Sequence, residues 1–157
     1  MDWEPIQREA FFAFLHRLEQ RPVDLLLIEI AREIEKTKRD RHVSLHADRE
    51  LLVKEIRAEI MAVLARILQE GKNNAFLRAE AAEILGQFKA AAQPVVPALV
   101  GALRDDVSFV RVAACQALAR IGTAAQSAME SLREVSQDQD PDVRRAAVQA
   151  LRAIGQP

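Results

Sequence analysis

Cysteine, aromatic residues and glycine are all scarce in this chain of 157 residues, and each scarcity closes off a class of function. A single cysteine, Cys115, cannot form an internal disulfide and offers no spacing suited to zinc. Its counterparts 33 residues away on either side, Ala82 and Val148, are apolar, so Cys115 reads as a packed and unreactive thiol. Tyrosine is absent and tryptophan occurs once, which leaves Ala and Leu to fill the interior. That composition favours closely packed helices over a β-sandwich. The five glycines are scattered, with no phosphate-cradling loop and no strained elbow carrying a nucleophilic serine. Charge of one sign is not in excess either. The 22 basic and 23 acidic side chains nearly cancel, so no overall field draws nucleic acid or anionic lipid. Long apolar runs are missing too: the richest, residues 23–34, carries Asp24, Glu29, Arg32 and Glu33 and does not read as a membrane span. The acidic start MDWEPIQRE leads into no signal-type segment, and the expectation is a soluble cytoplasmic protein. His42 and His46, flanked by Asp40 and Asp48, are the one arrangement that could hold a metal. They fall in a segment that reads as a loop, and neither metal nor other cofactor is expected.

What the chain does have is a repeat. Asp105 to Gly122 reads DDVSFVRVAACQALARIG, and Asp138 to Gly155, 33 positions on, reads DQDPDVRRAAVQALRAIG. The shift aligns Val110 with Val143, Arg111 with Arg144, Ala114 with Ala147, Leu118 with Leu151 and Ile121 with Ile154. A fainter copy lies 33 positions earlier, at Leu77, Arg78, Ala81, Leu85 and Phe88, and Ala91-Ala92-Gln93 stands opposite Ala124-Ala125-Gln126. A fixed period of this length marks stacked helical units that bury their apolar faces against one another.

Apolar spacing predicts about eight helices. The first two, over 4–20 and 22–38, are joined by Arg21-Pro22 and form an antiparallel hairpin, a cap or divergent repeat over residues 1–46. Residues 36–48, rich in charge, form a loop, and the third helix covers 47–70. The rest are expected at 74–89, with Asn74 as cap, then 94–104, 108–121, 124–137 and 141–154, with Asp140 and Pro141 opening the last. Residues 47–157 thus hold three pairs, 47–89, 92–122 and 124–155. The last helix keeps the apolar pattern of the internal ones, whereas an end unit normally turns polar outward. The expectation is that further repeats or another domain follow, or that a second chain covers this end.

The stretch Ser136 to Gly155 resembles the HEAT repeat, in the short bacterial and archaeal type labelled phycobilisome-lyase-like, and contains its pattern Asp-x-Asp-Pro-x-Val-Arg-x-x-Ala-x-x-Ala-Leu-x-x-Ile-Gly. Residues 105–122 follow it with Val107 and Ser108 in place of Asp and Pro. Residues 74–89 depart more, with Lys72 for the first Asp and Lys89 for the final Gly. The resemblance implies an all-α, right-handed α-solenoid in which the second helix of each pair lines the concave side. It also implies that Arg111 and Arg144, with Asp105 and Asp138, form a ladder between neighbouring units, a structural rather than ligand-binding role.

Stacking the second helices in register builds the expected groove from three stripes: Ala79, Val112 and Arg145; Glu83, Gln116 and Gln149; Gly86, Ala119 and Arg152. With no Trp or Tyr among them, base stacking has little to work with, so nucleic acid is not the expected ligand. Phe76 and Phe109 break the pattern, standing where the third unit has Asp142. They form either an exposed apolar ridge at the groove edge or packing beneath neighbouring loops. The expected function is non-catalytic: a scaffold that binds a protein partner through Phe76, Glu83, Phe109, Gln116, Arg145, Gln149 and Arg152. Two other readings stand beside it. One is a bilin-type chromophore lyase or accessory subunit of an enzyme, which rests on the family label. The other is homo-oligomerisation through the N-terminal hairpin, which has excess apolar surface.

Overall fold

The computed structural model describes residues 49–70 and 74–155. The hairpin expected over 1–46, with its oligomerisation reading, and the histidines at 42 and 46 lie outside the described residues. The chain divides into two compact units, Met1–Glu59 and Ile60–Pro157, the second of which holds the repeats.

Among the described residues every regular element is helical. In chain order they are α1 (Arg49–Glu70), α2 (Ala75–Gln87), a 3-10 segment (Lys89–Val95), α3 (Val96–Ala102), α4 (Ser108–Ile121), a second 3-10 segment (Gly122–Ala128), α5 (Met129–Val135) and α6 (Pro141–Gly155). None of these helices is long and apolar enough to cross a membrane. The architecture is an all-α solenoid in which α2 packs on α4 and α4 on α6. The third helix expected at 47–70 and the second helices of all three pairs form within two residues of their expected bounds.

The turns that open the three second helices are each held by a side-chain oxygen that accepts from a backbone N–H, and the residues that precede α2 and α4 are extended. Asn74 caps α2, its side-chain oxygen accepting from the Leu77 N–H at 3.1 Å. Asp140 does the same at α6, accepting from the Asp142 N–H at 2.8 Å. Val107 has no capping side chain; Asp105 holds that turn instead, accepting from the Val107 N–H at 2.9 Å. Behind these starts, small residues set the spacing. Ala81 and Ala82 on α2, Ala113 and Ala114 on α4, and Ala146 and Ala147 on α6 are buried, so the backbones approach closely. At Gly86 a methyl group would sit 2.8 Å from the Ala117 Cα.

The expected continuous helices over 94–104 and 124–137 are not what forms. Each is split into a 3-10 segment followed by a short α-helix. The reason at 94–104 is Pro94, which supplies no N–H and cannot continue a helix interior. In the second it is Ala125, held at φ −95° and ψ 20°. Ala92 and Ala125 occupy the same register and are fully buried, so the tight winding tucks a small side chain under the neighbouring unit. The corners entering these segments are Lys89 and Gly122, at φ 50° and 68°. Gly122 suits this left-handed region, but Lys89 occupies it with a side chain.

Candidate functional site

Two arginine rungs tie the units together and thereby fix the register of the exposed face. Arg78 grips Asp105 with Nε and Nη2 at 2.7 and 2.8 Å, and Arg111 grips Asp138 in the same manner at 2.9 Å for both bonds. Each pair is 27 residues apart, from one second helix to the turn of the next unit. Burial alone raises the Asp105 carboxyl. The Arg78 hydrogen bond, the Val107 N–H and the charges of Arg78 and Arg111 outweigh it and hold the carboxyl below the usual range. Asp138 is lowered mainly by the Arg111 hydrogen bond. Arg111 also donates from Nη1 to the Asp105 and Asp106 carbonyls at 2.8 and 3.3 Å.

The expected ladder needs one correction. Arg144 makes no rung among the described residues; its Nη1 donates to the Asp138 and Gln139 carbonyls of its own unit at 2.7 and 2.9 Å. The rungs run from Arg78 and Arg111, because each arginine reaches forward to the next unit's turn and not back to its own carboxylate.

With this register set, Phe76, Phe109 and Asp142 each fall at the second position of α2, α4 and α6, pointing away from the core. Phe76 is 78% exposed and Phe109 40%. Their rings stack with centroids 5.1 Å apart and planes inclined by 28°. The ridge thus forms, and packing beneath a loop does not. Half-buried Ala79 and Val112 lie one turn further along the same faces. On α6 the apolar character stops: Asp142 pairs with Arg145, an acid at a helix start joined to a base three residues on. Two turns into each helix, Glu83, Gln116 and Gln149 occupy one register and all are exposed, as is Arg152 near the end of α6. Gly86 does not belong to this surface. It is buried against Ala117, so the third stripe contains only Ala119 and Arg152.

A shallow depression of about 450 Å³ opens elsewhere, lined by Arg104, Asp106, Arg111, Glu134 and Asp138 among others. Its charged groups are largely committed, Arg104 to Glu134 at 3.3 Å and Arg111 to Asp138. Cys115 is fully buried, and that burial pushes its thiol up to about 12, as its packed reading requires.

One feature escaped sequence reasoning. Val148 is 39% exposed, although its counterparts Ala82 and Cys115 are fully buried. The signal was present in the 33-residue alignment, but only a view of what covers each unit converts it into exposure.

A sequence family described as HEAT repeats matches residues 60–152, more than half of the chain. No match is found among curated proteins or among solved structures.

Proposed function

The chain belongs to the HEAT-repeat family, and on that premise we propose that it is a non-catalytic, cytoplasmic interaction module that holds a protein partner along its second helices. The observation that carries this reading is the stacked, solvent-facing pair Phe76 and Phe109. Two phenylalanines exposed side by side leave apolar area in water that a partner can cover, and aromatic anchors of this kind dominate binding energy at interfaces. Glu83, Gln116 and Gln149 form the polar border on one side, and Arg145 and Arg152 extend it on α6. The surface grades from apolar over the first two units to charged over the third, which suits a partner segment with one greasy and one acidic end.

Affinity purification of the tagged full chain from its source cell, compared with the Phe76→Ala/Phe109→Ala variant, tests this. The variant should recover about tenfold less of the partner while melting within about 1 °C of wild type, because the rings contribute little to the core. Equal recovery by both proteins would defeat the proposal.

A further inference from the structure

The seam between α2 and α4 carries three kinds of side chain at three levels along the helices. Phe76 and Phe109 stand at the first level, Glu83 and Gln116 seven residues further on, and Arg120 eleven residues after Phe109. Helical spacing keeps positions seven and eleven apart on nearly one line, about 10 and about 16 Å from the rings. All five side chains are exposed, as is Glu80, one turn past Phe76. Because α6 is already packed on α4, this open seam does not come from the last unit.

The charges along the seam are uncommitted. Among the described residues Glu80, Glu83 and Arg120 make no ion pair and no side-chain hydrogen bond. Arg120 is nevertheless held. Its stem crosses to α2 over the notch that Gly86 leaves, with Cδ 3.4 Å from where a methyl group on that glycine would sit, and the charged head stays in solvent. The next seam, with Phe109, Gln116, Asp142 and Ala153 in the corresponding places, lacks this pattern, and its Asp142 is already paired with Arg145.

Resting on the reading of the second helices as the docking surface, we infer that this seam holds one amphipathic helix of a partner protein, laid antiparallel to α2 and α4. That helix places an acidic residue at Arg120 and a basic residue, four positions later, at Glu80 and Glu83. Apolar residues follow seven and eleven positions after the acid, the first over Ala79 and Val112 and the second on the phenylalanine rings. The antiparallel sense follows from charge: in it the partner's acid lies toward its own helix N-terminus and four residues before its base, the order favoured by both the helix dipole and the side-chain pair. The rings supply apolar area, and the charges fix register and direction. A uniformly basic helix would meet Arg120 and a uniformly acidic one Glu80 and Glu83, so both are selected against.

Two fluorescein-labelled peptides, each stapled into a helix on its far face, test this with the full chain by fluorescence anisotropy. The matched peptide carries a glutamate, then a lysine four positions later and leucines seven and eleven positions later; the exchanged peptide has the glutamate and the lysine swapped. The full chain should bind the matched peptide about tenfold tighter than the exchanged one. Glu83→Lys/Arg120→Glu should reverse that preference at an unchanged melting temperature, since both side chains are exposed and unpaired. Phe76→Ala/Phe109→Ala should weaken both peptides about tenfold and keep their ratio. The same preference in the charge-exchanged variant as in wild type would overturn this inference and leave the ridge as the docking surface, whereas peptide binding unaffected by loss of both rings would overturn both readings. No binding of either peptide at about 1 mM, or a dimer of the chain that dissociates when the rings are removed, would also sink the inference, the latter by giving the seam to a second copy.

Discussion

Arg111 and Arg144 sit at the same point of adjacent units, preceded by the same valine and followed by the same alanine, leucine and isoleucine positions, yet one is locked and the other is open. Arg111 joins α4 to the turn before α6 through two bonds of 2.9 Å, whereas Arg144, among the described residues, bonds within its own turn. The difference teaches that the repeat motif encodes half of a junction. The arginine and its anchoring carbonyls are local properties of each unit, and the carboxylate that completes the rung always comes from the neighbour.

The comparison breaks most severely at Arg111→Ala. Removing it strands Asp138 in a partly buried site, and the expected loss is about 3 kcal/mol, read as a fall in thermal or urea midpoint. The pH dependence of the two proteins should differ in a defined direction. Asp138 has a folded pKa below its unfolded value, so its stabilisation is complete above about pH 4 and disappears as pH falls through the lower folded value. Wild type should therefore lose more stability than Arg111→Ala between about pH 5 and about pH 2. Equal losses would show that the rung is not the acid-sensitive element.

Next in size is Gly86→Ala, which forces a methyl group against the Ala117 backbone and should cost about 2 kcal/mol. At the following junction the same register holds Ala119, so Ala119→Gly offers the converse test and should cost only about 1 kcal/mol, from helix propensity. Smaller still is Lys89→Gly at the left-handed corner where the next unit has Gly122. Relief of the side-chain strain should raise stability by about 0.5 to 1 kcal/mol, visible as a higher denaturant midpoint. Smallest is Arg144→Ala in the isolated chain, expected to change stability by no more than about 0.5 kcal/mol, because no carboxylate among the described residues loses its partner.

The second helices were legible because their apolar positions recur in a fixed register, with Asn74 and Asp140 as caps in front of two of them; residues 108–121 form as the spacing predicts. The helices expected at 94–104 and 124–137 were not; in the former, Val95, Val96, Leu99, Val100 and Leu103 satisfy helical periodicity whether or not the turn before them is tightened. The repeated Ala-Ala-Gln at 91–93 and 124–126 marked the 3-10 segments without naming their winding. Phe76 and Phe109 stood out as departures from the repeat, but exposure and stacking depend on the distance between α2 and α4, which packing decides. The openness of Arg144 could not be read at all, since its flanking sequence matches that of a closed rung and only the neighbouring unit distinguishes them.

Each rung closes a segment of 27 residues, and no longer closure is needed to bring one unit onto the next. Such short closures carry little entropic delay, so assembly can begin at either junction and spread like a zip fastener without a search for distant strands. Damage should travel by the same route: loosening the Asp138 rung frees α6 to exchange its amide hydrogens early, while α2, clasped by Asp105, keeps its protection.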